Sequence, residues 1–342
     1  MRIRTATRLP LAATATLAAA LMLRGCLSGE SSTTGAPASP GTADDDAADA
    51  TEDGWSTDTL NIDFATYNPL SLIIKEQGWL EEELEGVTVT WTQSAGSNKA
   101  NEALRASAID VGSTAGSAAL LARANGSPIR TVSIYTQPEW AAIVVPADSD
   151  IDSVEDLRGR SVAATKGTDP YFFLLQSLEE HGVGLDEVEV QNVQHADGRV
   201  ALENGSVDAW AGLDPIMADS EVNSGSRLIY RNIDFNSYGF LNVREEYLDE
   251  HADVVQVVVD AYEKAREWAL ENPEETAAIL AEVAAIDLAI AEKVILEPTV
   301  IDLDPVPGDA QRAVLEVVGP IFVASGDVPS QDLIDTALDA LL

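Results

Sequence analysis

From Leu60 onward, short runs rich in β-branched and aromatic residues alternate with longer helical ones: "LNIDFA", "VTVTW", "TVSIY", "AAIVVPA", "SVAAT", "VEVQNV" and "RLIYR". Strands separated by helices predict parallel βαβ units, and hence an α/β fold with helices on both faces of a sheet. Past about Arg244 the pattern turns mainly helical. There Val254, Val258, Tyr262, Ala265 and Trp268 recur at helical spacing, which predicts a stripe facing a core. The two "NGS" triplets, at Asn125 and Asn204, read as turns, and no internal repeat is present.

The N-terminus follows a different pattern. Arg2, Arg4 and Arg8 precede "LPLAATATLAAALML", an apolar run of 15 residues that is too short for a membrane span and has the length of an export-signal core. Residues 1–25 are therefore expected to be a signal peptide outside the fold. The single cysteine, Cys26, follows in "LRGC", which resembles the bacterial lipobox. That resemblance implies lipidation at Cys26 and a chain anchored at the outer face of a cell membrane or in the periplasm, although Arg24 stands where the lipobox has a small residue. Residues 26–57 are Ser, Thr, Gly, Ala, Pro and Asp with almost nothing to bury, which predicts a flexible tether. One cysteine allows no intramolecular disulfide and no Cys-based metal site.

Composition narrows the function classes. With 342 residues and 46% apolar content the chain can bury a sizeable core and has the length of two domains. The first 25 residues carry four arginines and no acid, so the remainder holds 16 basic against 58 acidic groups, a formal charge of −42. Nucleic acid is excluded as a partner, because phosphate neutralisation needs clustered Lys and Arg. So many carboxylates beside five lysines is the composition of a protein kept soluble at high salt.

Chemistry concentrates where strands end. "ATKGTDPYFF" places a helix opening directly after the strand "SVAAT", with Asp169 as N-cap, Pro170 at the first helical position and Gly182 as the C-terminal stop. The same device recurs at Asn68–Pro69 and at Asp214–Pro215, and a fourth junction, "GSTAG", offers Ser113 and Thr114 with neither proline nor acid. In an open α/β sheet, ligands bind outside the carboxyl ends of strands, where helix N-termini present unpaired N–H groups to an anion. Side-chain caps and prolines remove donors at three of these openings. The Ser113–Thr114 opening and the Gly167–Thr168 amides are thus the expected donors converging on one anion, with Lys166 largely solvated.

Enzyme signatures are thin. His195 with Asp197 in "QHADG" has no nucleophile elbow beside it and reads as a cap or hinge-side hydrogen bond. His181, His195 and His251 lack metal-ligand spacing, and no phosphate-binding "GxxxxGK[ST]" loop occurs, so no metal or cofactor is expected.

The segments "YNPLSLIIKEQGWLEEEL", "WTQSAGSNKANEALRASAIDVGSTAGSAALLARANGSPI", "ATKGTDPYFFLLQSLEEHG", "VQHADGRVALENGSVDAWAGLDP" and "YGFLNVREEYL" resemble the substrate-binding proteins of aliphatic-sulfonate ABC importers, within the nitrate, sulfonate and taurine group. The likeness runs from roughly Leu60 to Glu271. It implies a type II periplasmic-binding-protein fold: two α/β lobes, a hinge, a ligand cleft and C-terminal helices. The implied boundaries are 58–143 with 240–342 for a discontinuous first lobe and 144–239 for the second, with crossings near Ala141–Ala147 and Tyr238–Val243. Carried over residue by residue, the implied ligand-binding set is Tyr67, Asn68, Ser94, Ser97, Ser113, Thr114, Trp140, Gly167, Thr168, Tyr171, Trp210 and Asp214, with the two tryptophans equally readable as packing. The implied role, in sulfur metabolism, is a monomeric binding protein, not an enzyme, that passes a small anionic alkanesulfonate to an ABC permease and its ATPase. Taurine, nitrate and sulfate esters stay open as ligands. The rival reading is the pyrimidine-precursor synthase family, which has the same fold and a cysteine cluster that this chain does not supply.

Overall fold

The computed structural model describes residues 54–342; the expected signal peptide, Cys26 and most of the expected tether lie outside the described residues. The strands are β1 (Thr59–Phe64), β2 (Thr88–Gln93), β3 (Val111–Ala115), β4 (Ile129–Pro138), β5 (Ala141–Val145) and β6 (Ser161–Ala164). They continue with β7 (Glu189–Asn192), β8 (Ala209–Leu213), β9 (Arg227–Tyr230), β10 (Gly239–Arg244) and β11 (Thr299–Val300). Between them run α1 (Pro69–Gln77), α2 (Trp79–Glu83), α3 (Ser97–Arg105), α4 (Gly116–Ala124), α5 (Asp169–Glu180), α6 (His195–Glu203) and α7 (Ile216–Ser224). The C-terminal set is α8 (Glu245–Glu250), α9 (Ala252–Glu271), α10 (Pro273–Ala284), α11 (Leu288–Leu296), α12 (Asp309–Ala324) and α13 (Gln331–Leu341).

These strands form two sheets, in the orders β11-β4-β10-β3-β1-β2 and β7-β6-β8-β5-β9. Central strands are apolar or small throughout: every residue of β3 and of β5 is buried, as expected for strands covered on both faces. Edge strand β2, "TVTWTQ", alternates instead between half-buried and exposed positions. β1 pairs in parallel with β2 and β3, and β6 with β7 and β8, through helical crossovers as the sequence predicts.

An all-parallel arrangement is not what forms. β10 runs antiparallel to both β3 and β4, and β5 antiparallel to β8 and β9. β5 and β10 each enter their sheet from the other one, β5 after only Glu139 and Trp140, so neither is set beside its partners by a βαβ crossover within one sheet. The chain thus leaves the first sheet at Glu139–Trp140 and returns across residues 231–238, so β5 lies wholly in the second sheet and β10 wholly in the first.

One large apolar core reaches both sheets, with a smaller cluster around Trp210 in the second sheet and another between α10 and α11. Val254, Val258, Tyr262 and Ala265 of the predicted helical stripe are fully buried, and Trp268 packs against them. α9 lies on α1 and β4, and α12 and α13 lie on α4, so the C-terminal helices return to the first sheet. Buried Arg266 fixes that return. Its guanidinium donates to the carbonyl oxygens of Tyr135 (3.1 Å), Ile134 (2.6 Å) and Ile301 (2.5 Å), while Glu263 balances its charge. At the entry to β10, Gly239 lies so close to the Tyr135 ring that any Cβ there would collide with it.

Candidate functional site

The loops following β1, β2, β6, β7 and β8 end at the boundary between the two sheets. An open cleft of about 520 Å³ lies there, with Thr66, Ser94 and Ala95 on the first-sheet side and Gln194, His195, Arg199 and Ile216 on the second. Val283 to Ile286, at the end of α10 and the start of its turn into α11, add an apolar rim. A much smaller cavity of about 20 Å³ adjoins it, sharing Thr66 and lined by Tyr67, Trp140 and Asp214. The Tyr67 and Trp140 rings meet edge to face there, with centroids 6.1 Å apart.

Other members of the expected binding set form the bed under this cleft. Asp63 Oδ1 accepts from the Ser113 amide (2.8 Å) and hydroxyl (2.9 Å), and the Tyr67 hydroxyl donates to Ser113 O (3.0 Å). Thr114 Oγ1 donates to Ala115 O (2.9 Å) and accepts from Asn242 (2.8 Å). Asn68 caps α1, accepting from the Ser71 amide (3.2 Å), and donates to the Tyr262 hydroxyl (2.9 Å). Ser97 Oγ accepts from the Ala115 amide (2.9 Å). The Thr168 hydroxyl donates to Thr165 O (2.6 Å), Gly167 takes a left-handed φ of 79°, and Tyr171 is buried at the start of α5. Trp210 belongs to the core of the second sheet, packed on Gly198, and faces no cleft.

Two expectations need correction. Ser113 and Thr114 are strand residues, because pairing of β10 with β3 extends the strand to Ala115 and the helix starts only at Gly116. Asp169 is not the N-cap of α5: Thr168 takes that position, and the Asp169 carboxylate turns inward. It accepts from Ser117 Oγ (2.5 Å), Ser237 Oγ (2.6 Å), the Ser237 amide (2.8 Å) and Trp140 Nε1 (2.7 Å). The place where an anion was expected between the Ser113–Thr114 and Gly167–Thr168 stretches is thus held by the protein's own carboxylate. Ser117, Ser237 and Asp169 form a cluster whose members lie far apart in sequence.

The helix openings differ in which of their donors stay unpaired. Asn68 caps α1, and Asp214 Oδ1 accepts from the Ala218 amide of α7 (3.0 Å). The first amides of α4 donate to Tyr238 O (2.9 Å) and Ser237 Oγ (2.8 Å). α3 has neither a side-chain cap nor an acid in its first turn. Its Lys99 and Ala100 amides turn back to Gly96 O, at 2.9 and 3.1 Å, and among the described residues no acceptor meets those of Ser97 and Asn98. This opening follows directly on Ser94 and Ala95 of the cleft lining, with Thr66 on the same side.

Burial sets the protonation of the surrounding groups. Asp63 and Asp214 are each pushed up to about 7 by burial, and His195 is pushed down to about 3 by the same cause. His195 Nδ1 faces Thr165 Oγ1 (3.2 Å), whereas Asp197 is exposed, so no nucleophilic triad forms. Arg199 is paired with Glu203 (2.7 Å) and with Asp219. Sequence reasoning passed over Thr66 and Arg199. Thr66 neighbours the recognised Tyr67, but Arg199 looks like any charged residue on an amphipathic helix.

Two α/β sheets joined by two crossings, with a cleft walled by the strand-end loops of both, define a two-lobed ligand-binding fold. The chain belongs to the NMT1/THI5-like family, whose description matches residues 70–276. A putative aliphatic sulfonates-binding protein of Bacillus subtilis (strain 168) is 29% identical over 229 residues, covering 66% of this chain and 69% of that one. Its namesake in Escherichia coli (strain K12) is 27% identical over 233 residues, covering 68% and 73%. Among solved structures, the alkanesulfonate-binding protein of Xanthomonas axonopodis pv. citri, bound to MOPS, superimposes with a TM-score of 0.75 at 24% identity, covering 82% of this chain and 98% of that one. The resemblance read from the sequence is borne out.

Proposed function

We propose that the protein is the extracytoplasmic solute-binding component of an ABC importer, capturing aliphatic sulfonates between its lobes and delivering them to a membrane permease and its ATPase. The observation that carries this reading is the uncapped opening of α3, which follows directly on Ser94 and Ala95 of a cleft that Thr66 and the apolar Ile216, Val283 and Ile286 also line. A sulfonate has only acceptors, so it is matched by unpaired amides and hydroxyls, and an alkyl tail suits the rim. The aliphatic-sulfonate names of the relatives point the same way. In this reading Ser94, Ser97, Tyr67 and Trp140 shape the ligand site, while Asn68, Ser113 and Thr114 brace it from beneath. Residues 58–138 with 239–342, and residues 141–230, move as the two bodies of a clamp, so the boundaries at 143/144 and 239/240 expected from the sequence shift to the crossings at 139–140 and 231–238. The leader directs export, and Cys26 anchors a monomeric protein by lipid through the tether. The chain acts by binding and not as an enzyme.

Calorimetric titration of residues 54–342 against alkanesulfonates, nitrate, sulfate and sulfate esters tests this. Uptake of an alkanesulfonate is expected, weakened by about 1.5–3 kcal/mol in the isosteric variant Thr66→Val if that hydroxyl bonds the charged head. No heat with any sulfonate would overturn the reading.

A further inference from the structure

Helices of the first body grip the second on both faces of its sheet. The crossovers β6-α5-β7 and β7-α6-β8 run in opposite directions across that sheet, so α5 and α6 cover opposite faces, and α7 packs on α6. Against α5 stand α4 and α12, where the Phe172 and Phe322 rings meet with centroids 4.4 Å apart. This contact adjoins the Asp169 cluster and so the two crossings. Against α7 stands α11, at a seam away from the crossings and beside the cleft, which α7 and the end of α10 both line.

The α10–α11 pair is fixed to the first body. α10 packs on α1 and α9, and β11, directly after α11, pairs with β4. Its apolar side nevertheless takes in a residue of the second body: Ala218 of α7 is buried in one cluster with Leu72, Leu280, Ala291 and Val294. At the same seam Lys293 Nζ of α11 stands 2.9 Å from Glu221 Oε2 of α7, with 32% of each side chain exposed. Glu221 Oε2 itself is shielded from water, so the Lys293 ammonium is the charge that faces it. Asp214 and Glu297 line the same small cavity, and its other cation, Arg231, is committed to Glu139 at 3.1 Å. Lys293 is therefore the cation that balances Glu221 in a seam lined by three carboxylates, in a chain with five lysines against 58 acids. Parting the two bodies at the cleft would break this pair and uncover Ala218 and Val294. Neither Glu221 nor Lys293 lines the cleft, so both act on closure without touching a ligand there.

We propose that the α7–α11 seam is a latch, in which the Lys293–Glu221 ion pair and the buried Ala218 hold the two bodies together and set how long a bound ligand stays. This rests on the clamp reading above, and it makes Lys293 and Glu221 positioning residues for release.

Charge reversal tests the latch. Lys293→Glu and Glu221→Lys each place like charges across the seam, and the double reversal restores an opposite pair. At fixed pH and ionic strength, each single variant is expected to release butanesulfonate at least about fivefold faster in stopped-flow tryptophan fluorescence, with little change in association, and the double variant to return within about twofold. Without ligand, each single variant is expected to show a larger radius of gyration in small-angle scattering than the unmodified protein, and the double variant the original value. Should the reversals fold poorly, Lys293→Met, Glu221→Gln and their combination carry the comparison, the second substitution adding little to the first. Release unchanged in the single variants, or not restored in the double one, would overturn the latch while leaving a sulfonate-binding protein intact. Failure of the unmodified protein to take up butanesulfonate would instead overturn the sulfonate reading, and the scattering comparison, which needs no ligand, would still decide the latch.

Discussion

Asp169→Ala is expected to destabilise the protein by about 3–5 kcal/mol, because it leaves four buried donors without their acceptor. The carboxylate is fully enclosed. Burial pushes its pKa up, and the hydrogen bonds from Ser117, Ser237 and Trp140 hold against that shift. An indole N–H and a backbone amide cannot reverse their polarity, so Oδ2, which receives both, must remain an acceptor. Asp169→Asn should lose less, since its oxygen can take the indole and amide donors while its NH₂ donates to the Ser117 and Ser237 hydroxyls, which can accept. The donors come from α4, from the outward crossing at Trp140 and from the return crossing at Ser237, so the carboxylate ties both crossings to the start of α5. The substituted protein should also show a larger radius of gyration in small-angle scattering. A stability loss below about 1 kcal/mol in denaturant titration would show that the cluster is dispensable.

Acidification from about pH 8 to pH 5 is expected to raise the unfolding temperature rather than lower it. Asp63 and Asp214 titrate near 7 when folded and near 3.8 as free side chains. Between those values the folded chain holds two protons that the unfolded chain releases, so stability falls as pH rises through the window, by about 1.4 kcal/mol per pH unit for each carboxyl. His195 opposes this: it stays neutral to about 3 when folded and takes a proton near 6.5 when unfolded, so it loses stability as pH falls. Two carboxyls against one imidazole leave the acid-stabilising trend ahead. Groups held below their ordinary values, such as Glu203, Asp208 and Glu245, reverse it once pH approaches the carboxylate range. Thermal melts at fixed ionic strength should therefore peak near about pH 5, and Asp63→Asn combined with Asp214→Asn should remove the rise. A peak above pH 7 in the unmodified protein would contradict the assignment.

The sequence shows most of the secondary structure and less of the pocket, for identifiable physical reasons. Runs such as "SVAAT" and "AAIVV" mark strands because β-branched and small residues suit a doubly covered sheet, and Asn68–Pro69 is a helix start that depends only on neighbours. Strand direction depends on how the chain gets from one strand to the next, so no periodicity in "GFLNVR" reveals that β10 runs against its partners. "GSTAG" has the punctuation of a helix opening, and only the distant β10 turns it into strand. Asp169 has the local form of a cap, yet its partners at positions 117, 140 and 237 are visible only in the fold. Ser94 was legible through the family motif, whereas the contact of His195 with a hydroxyl in another loop was not.

The place of β10 in the first sheet has a consequence for how the protein is made. The second sheet draws all its strands from one continuous stretch, residues 141–230, so it is complete as soon as that stretch has emerged. The first sheet lacks a middle strand until β10 arrives, and until then β3 and β4 each present an unpaired edge. Open edges of buried, apolar strands are templates for pairing with other chains. Chains ending before β10 are therefore expected to aggregate more readily than the full chain.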